Sequence, residues 1–327
     1  ETIMRAIGPT HQYLSKPCDT EVLRWSIERA CTLRNLLREP GLREAVAELS
    51  SLPTVPDLYR ELLEQLRKPG ASLSQVSAII SSDIGMTAKI LQLVNSDFFR
   101  FQYKVTSAGE AVNLLGLETI RALVLTIGVF SATPGRIVAE ERLAELWHHS
   151  ILVGVCSRQI ALAEAGGREM AEECFTAGLL HDIGRLVLEG SHQDRYLSVL
   201  EITNREGVPL WEAERRVFGS SHTEVGAFLL GLWGFSDPIV EAVAFHHMPA
   251  RCPVPGFAPL CAVHAADALL GGSDVSSSRL GADTRAGLDS EYLQRLSVND
   301  HVADWKVLCG VTLEEKLANE LNRVIIS

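Results

Sequence analysis

Gly178-Leu179-Leu180-His181-Asp182-Ile183-Gly184 places an imidazole and a carboxylate side by side inside an apolar run. The spacing predicts a helix from about Glu169 to Leu188, with the pair facing a packed interior. A polar group left unpartnered there costs on the order of 2–7 kcal/mol, so both side chains need hydrogen-bond partners or a metal ion. Upstream, Ala139 to Ala165 reads as one long helix stopped by Gly166-Gly167. His149 shares a face of it with Leu146, Val153, Cys156 and Ile160, and so points at a core. Downstream, Ser221-x-x-Glu224 is a capping box that starts a helix at His222. Asp237-Pro238 opens a helix ending in His246-His247, and Pro259 opens one that carries Asp267 beside Val263 and Leu270.

His149, His181, Asp182, His222, His246, His247 and Asp267 are therefore the candidate metal ligands. Imidazoles mixed with carboxylates suit Fe, Mn, Zn or Ni, with Mg also admitted, and one such divalent ion is the expected cofactor. Ions of this kind polarise phosphoryl oxygens and acidify water. His148, His192, His264 and His301 read as ordinary hydrogen-bonded residues, although His264 lies three residues before Asp267 and is placed to support a ligand. The chain has no thiol pair of zinc-finger spacing, no G-x-S-x-G and no glycine-rich phosphate loop.

The 327 residues allow two domains, or one large domain with an appendage. Hydrophobic residues make up 46 % and aromatic ones 6 %, which favours an aliphatic, helical core. A net charge of −11 disfavours nucleic acid and anionic membrane as partners. No apolar run approaches the roughly 18–20 residues of a bilayer span; Ala122 to Ala132 is far too short. Seven cysteines without a C-x-x-C pair read as reduced thiols of a cytoplasmic protein. The chain starts at Glu1 without a signal-peptide pattern, as a piece of a longer protein would.

From Leu42 to about Phe130 the pattern is one of short helices. Ser72-x-x-Gln75 and Ser107-x-x-Glu110 are capping boxes, and Gly116 stops one helix before another runs through Ile120, Val124 and Ile127. Gly271 to Gly287 reads as a mobile loop, and a last helix is expected from about Thr312 to Ile325. No useful period-2 pattern occurs, so the expected fold class is all-α.

The order Trp147-x-His149-Ser150, His181-Asp182-Ile183-Gly184, His222, His246-His247, Asp267 resembles the HD superfamily of metal-dependent phosphohydrolases. Leu52-Pro53-Thr54-Val55-Pro56, Ile79 to Asp83, Lys89 to Ser96 and Ala111 to Gly116 are similar to the HDOD branch, the HD-related output domain of bacterial signalling proteins. That places an HDOD domain over 42–250 and a C-terminal helical extension packed on it over 251–327. Residues 1–40, with Lys16-Pro17 and the stripe Leu23, Ile27, Ala30, Leu33 and Leu37, resemble the last strand and helix of a response-regulator receiver domain.

The resemblance implies a multi-helix bundle serving as the output module of a two-component phosphorelay. Its expected partner is a downstream signalling protein, and the 21–38 helix could pair with a second copy of the chain. Many members of the branch have lost the HD ligands; this sequence keeps them. The alternative implied is therefore a metal-dependent phosphohydrolase acting on a nucleotide or cyclic dinucleotide. In that reading His149, His181, Asp182 and Asp267 hold the main ion, while His222, His246 and His247 complete the site or hold a second. His246-His247 is followed by Met248-Pro249-Ala250, not by the Asp-Gly-x-Gly-Tyr-Pro segment of the cyclic-di-GMP phosphodiesterase branch HD-GYP. Arg185 stands where that branch has a lysine and could grip a phosphate bidentately, so the resemblance makes Asp182 and Arg185 the candidate catalytic residues. A DNA-binding regulator is a third reading, disfavoured by the acidic balance and the lack of a basic recognition helix.

Overall fold

The three serine-led capping motifs each start a helix in the computed structural model of the protein. Ser72 accepts from the Gln75 N–H at 3.3 Å, and its own N–H reaches Gln75 Oε1 at 3.0 Å. Ser107 accepts from the Glu110 N–H at 3.2 Å, and the Ser221 N–H donates to Glu224 Oε2 at 2.8 Å. Each satisfies amides that a first helical turn leaves without partners. The structure describes residues 62, 72–82, 84–95, 105–132, 140–164, 167–191, 193–232, 235–253, 256–271 and 287–310. The receiver-like segment, the Leu52–Pro56 motif, Asp83, Ser96, His192, most of the Gly271–Gly287 loop and the 312–325 helix lie outside them.

Among the described residues every regular element is helical, and the all-α class holds. The first group comprises α1 (Leu73–Ser82), α2 (Ile84–Val94), α3 (Ala108–Leu115) and α4 (Leu117–Ala132). Then come α5 (Glu140–Ala163), α6 (Arg168–Leu180), α7 (Ile183–Ser191), α8 (Gln193–Glu206) and α9 (Leu210–Phe218). The last are α10 (His222–Leu232), α11 (Asp237–Phe245), α12 (Pro259–Gly271), α13 (Ser290–Arg295) and α14 (Val302–Leu308). No helix among them is long and apolar enough to cross a membrane. The described cysteines, 156, 174, 252, 261 and 309, are buried and form no disulfide.

One difference from the sequence reading matters for the site. The helix expected from Glu169 to Leu188 is two helices, α6 and α7, with His181-Asp182 in the break between them. The Arg185 N–H closes a tight turn onto the Asp182 carbonyl at 2.9 Å. The apolar pattern could not reveal this, because Leu179, Leu180, Ile183, Leu186 and Val187 are buried on both sides of the break.

The core is continuous from α1 to α14, and its centre is the α5–α6 pair with α12 against both. A Cβ on Gly178 would lie 2.8 Å from Gly154 Cα, and one on Gly154 would lie 3.0 Å from the Phe175 carbonyl. Two glycines facing each other thus let α5 and α6 approach backbone to backbone. That brings His149 on α5 level with His181 at the end of α6.

Asn95 has a structural role. Its side-chain amide donates to Leu91 O and Val105 O at 2.8 and 2.7 Å, while its Oδ1 accepts from the Val105 N–H at 2.7 Å. It therefore ties the end of α2 to the start of the next described segment. At the far end, Glu164 accepts from His301 Nδ1 at 2.7 Å and Trp305 Nε1 at 3.0 Å, docking fully buried Trp305 and α14 on the end of α5.

Candidate metal centre

Helices α5, α6, α10, α11 and α12 present ends or faces to one point, and all seven candidate ligands meet there. His149 Nε2 lies 3.1 Å from Asp267 Oδ1, which is 3.8 Å from His181 Nε2. His181 Nε2 is 3.6 Å from Asp182 Oδ2. The other oxygen, Asp182 Oδ1, lies 3.3 Å from His222 Nε2 and 4.0 Å from His246 Nε2. His247 joins both sides, with Nε2 3.2 Å from His222 Nε2 and Nδ1 3.7 Å from Asp267 Oδ2. The ligand atoms of His149, His181 and Asp182 lie within 4.8 Å of one another, as do those of His222, His246 and His247 and those of His181, His246 and Asp267, so the cluster is continuous.

The imidazoles are held in defined tautomers by partners behind them. His181 Nδ1 donates to the Gly178 carbonyl at 2.7 Å, His246 Nδ1 to the Val243 carbonyl at 2.9 Å, and His222 Nδ1 to Glu214 Oε2 at 2.6 Å. Because carbonyl and carboxylate oxygens only accept, the Nδ1 atoms carry the protons and the Nε2 lone pairs face the cluster. His181 Nε2, His246 Nε2 and Asp182 Oδ1 are fully buried and hydrogen-bond to nothing. Three acceptors gathered out of water with no donor among them are costly, and a divalent cation is the group that would satisfy all three. The donor set therefore fits a transition-type ion.

Electrostatics agrees. Burial, followed by the charges of His247 and His181, holds His246 well below the usual histidine range. Burial also lowers His181, outweighing the opposing charges of Asp182 and Asp267. Burial disfavours the carboxylate of Asp182, yet the charges of His181, Arg185 and His222 hold its pKa well below the ordinary value. Asp267 is likewise lowered against burial, through its hydrogen bond from His149 and the nearby imidazoles. His149 itself is raised, because that hydrogen bond and the Asp267 charge outweigh its desolvation. Neutral His181 and His246 beside ionised aspartates is the protonation state that metal binding requires.

Access is one-sided. The side chains of His149 and Asp267 keep 20 % and 16 % of their surface, whereas His181, Asp182, His222 and His246 keep 2 % or less. His149 and Asp267 form the solvent edge, and His222 and His246 line the floor. Arg185 is also buried, and its NH1 donates to Asp182 Oδ2 at 2.8 Å.

Sequence reasoning missed Glu214, Trp211 and Arg215. Glu214 on α9 is fully buried and accepts from the His222 backbone N–H at 2.8 Å, His222 Nδ1 at 2.6 Å and the Tyr196 hydroxyl at 3.2 Å. Its signal was present, since Glu214 lies four residues from both Leu210 and Phe218, within the buried stripe of α9. Trp211 stacks on His247 with ring centroids 6.5 Å apart, and Arg215 covers the same indole at 5.6 Å. His264 donates from Nδ1 to the His246 carbonyl at 2.7 Å and accepts the Asp289 N–H at Nε2 at 2.9 Å, so it supports a ligand as its position suggested.

A pH dependence follows from His264. Burial lowers its pKa, against the opposing hydrogen bond to His246 and the charge of Asp267. Above about pH 6.5 it is neutral in both folded and unfolded chains. Below that, the unfolded chain takes up a proton that the folded one resists, because a protonated Nε2 would face the Asp289 N–H. Stability should fall with pH by about 1.4 kcal/mol per unit for each such histidine, and His181 and His246 act in the same direction. Melting curves of metal-free protein between pH 7.5 and 5.5 should show the decline, and His264→Gln should flatten part of it. An unchanged slope in that variant would remove His264 as a cause.

Comparison with known proteins places this geometry in context. Residues 52–249 match the family model of the HDOD domain. An uncharacterized protein of Treponema pallidum is 25 % identical over 234 residues, covering 70 % of this chain and 44 % of its own length. Ribonuclease Y of Thermus thermophilus is 30 % identical over 215 residues, covering 62 % of this chain and 30 % of its own length. The chain thus spans less than half the length of these curated relatives. Among solved structures, an HDOD domain protein of unknown function from Geobacter sulfurreducens superimposes with a TM-score of 0.62 at 22 % identity, covering 91 % of this chain and 98 % of its own. A protein of Shewanella amazonensis provisionally named a phosphohydrolase gives a TM-score of 0.63 at 20 % identity, covering 88 % and 99 %. At these identities the two structures attest the fold alone.

Proposed function

The chain belongs to the HDOD family, and from that premise we propose that it is the output module of a bacterial signalling protein whose HD-type centre holds a divalent metal ion. One observation carries this reading: three buried acceptors, His181 Nε2, His246 Nε2 and Asp182 Oδ1, face one another with no donor. His149, His181, Asp182 and Asp267 would hold an ion on the solvent side, and His222, His246 and His247 on the floor. Signalling would run through contacts of the helical surface with a downstream protein, set by an input domain elsewhere in the full-length protein.

Hydrolysis of a phosphoester is the second reading, favoured by the solvent edge at His149 and Asp267. A purely structural ion is closed on every side, whereas a catalytic one keeps an approach. A ribonuclease among the relatives agrees with a phosphodiester of the nucleotide or cyclic-dinucleotide class. When bound, the ion supplies Lewis acidity toward a phosphoryl oxygen and toward water. The chain's own part is to keep His181 and His246 neutral, hold Asp182 ionised against Arg185, and exclude water from the floor.

The test is the metal content of full-length protein purified without chelator, beside a His181→Ala/Asp182→Ala double variant. Wild type should carry at least about one equivalent of Fe, Mn, Zn or Ni, and the variant should lose affinity by about a hundredfold or more. Folded wild type without metal, even after reconstitution, would remove the reading. If metal binds but a nucleotide panel with Mn, Fe and Mg shows no turnover, the hydrolase reading falls and the signalling one stands.

A further inference from the structure

We propose that helix α9 carries an anion subsite beside the metal centre, in which the indole N–H of Trp211 and the Nε–H of Arg215 take a phosphate group of the ligand. The inference rests on the phosphoester reading above and deepens it. The ligand would carry a second phosphate next to the one at the ion, as a dinucleotide, an oligonucleotide or a nucleoside diphosphate does. Two donors without acceptors are the starting point. Trp211 Nε1 and Arg215 Nε are both buried, and neither has a hydrogen-bond partner. Buried N–H groups are nearly always paired, so two left open on one helix call for an acceptor.

Their placement identifies that acceptor. Trp211 and Arg215 are four residues apart on α9 and share a face, with the guanidinium carbon 5.6 Å from the centre of the indole. The indole also stacks on His247, with ring centres 6.5 Å apart and planes inclined by 22°. His247 Nδ1 is in turn 3.7 Å from Asp267 Oδ2 at the solvent edge. A single aromatic ring therefore separates Trp211 from the candidate ion position. Indole and guanidinium nitrogens only donate, and the guanidinium is charged, so an anionic oxygen is the group they recognise. Beside an ion that takes a phosphoester, that oxygen belongs to the adjoining phosphate.

Arg215 is also the part that can move. Its side chain keeps 29 % of its surface, whereas that of its ion-pair partner Glu224 keeps 2 %. Glu224 does not depend on the pair, because its Oε2 accepts from Ser220 Oγ at 2.8 Å, the Ser221 N–H at 2.8 Å and Ser221 Oγ at 3.2 Å. An outward turn of Arg215 opens the covered indole to an entering oxygen. Helix α9 stays in place, anchored through Glu214 to His222 Nδ1 at 2.6 Å.

The experiment is titration calorimetry of full-length, metal-free protein with pyrophosphate, which would itself chelate a bound ion. Wild type should bind it. Trp211→Phe keeps the stacked ring, removes the N–H, and should weaken binding by about fivefold or more. Arg215→Met should weaken it by about tenfold or more, since a charged donor is lost. Arg216→Met is the control: that guanidinium is held by Glu206 and Glu212 on the exposed side of α9, and its loss should leave the affinity within about twofold. Mn²⁺ affinity, measured separately, should be unchanged in Trp211→Phe, which distinguishes a donor from mere packing behind His247. Should Arg215→Met fail to fold, Trp211→Phe decides alone. Wild-type affinity in Trp211→Phe, an equal loss in Arg216→Met, or a Mn²⁺ affinity that falls as far as that for pyrophosphate would each overturn the subsite. Folded wild type that binds no pyrophosphate would overturn it as well, and the nucleotide panel would still decide the hydrolase reading. Trp211-dependent pyrophosphate binding without turnover on that panel would support the subsite and remove the hydrolase reading alone.

Discussion

Gly184→Ala is expected to push His222 out of the cluster and destabilise the fold by about 3 kcal/mol or more, at the upper end of what overpacking costs. A Cβ on Gly184 would lie 2.0 Å from the His222 carbonyl oxygen and 2.8 Å from the Gly226 nitrogen. Both are backbone atoms of α10, so no side chain can rotate away. Relief requires α7 and α10 to separate by more than an ångström, and His222 is the first residue of α10. A ligand displaced by that distance leaves the 3.3 Å contact with Asp182. Metal affinity should therefore fall by a hundredfold or more alongside stability. Gly190 in the same helix is the control, because a Cβ there meets nothing within 4 Å. Gly190→Ala should be neutral, or stabilising by roughly 0.5–1 kcal/mol. Denaturant unfolding and metal titration of the two variants check this, and equal behaviour would refute the close-approach argument.

Glu214→Ala should be nearly as severe for a different reason. The carboxylate accepts the His222 amide, the His222 ring N–H and the Tyr196 hydroxyl, all in the interior. Its removal strands three buried donors, each costing about 1–3 kcal/mol if nothing replaces the bond. It also frees the His222 ring to take the other tautomer, so that Nε2 can carry the proton and point it at Asp182. The expected outcome is a loss of about 3 kcal/mol or more and a 10–100-fold fall in metal affinity. Glu214→Gln keeps the shape and one acceptor oxygen, and should recover much of the stability and less of the affinity. If Gln recovered both equally, or neither, the tautomer argument would be wrong and only packing would remain.

The seven candidate ligands could be read from the chain because each is an anomaly in its own helix. A histidine among Leu146, Val153 and Ile160, or an aspartate beside Val263 and Leu270, is a polar group on a face that should be apolar. Glu214 carried the same signal between Leu210 and Phe218, and a glutamate in an amphipathic helix is easily assigned to the wet side. The break at His181-Asp182 carried no such signal, since the apolar period continues through it.

Local chemistry in the sequence determined the helical class, the three serine caps, the glycine stops and the order of ligand-type residues that marks the family. These depend on neighbours a few residues away, and a linear pattern records them. The tertiary structure alone decided how the candidate ligands face. The Nε2 lone pairs of His181 and His246 point inward because each Nδ1 proton is committed to a carbonyl one turn back, once the ring is packed. The His222 lone pair does so because α9 brings Glu214 behind it. The close approaches at Gly154–Gly178 and at Gly184 set the helix spacing that makes five helices meet at one point. Arg185 lies on Asp182 and not toward solvent because the turn between α6 and α7 closes there. Lone-pair direction and helix separation arise from contacts between distant parts of the chain, so no local pattern encodes them.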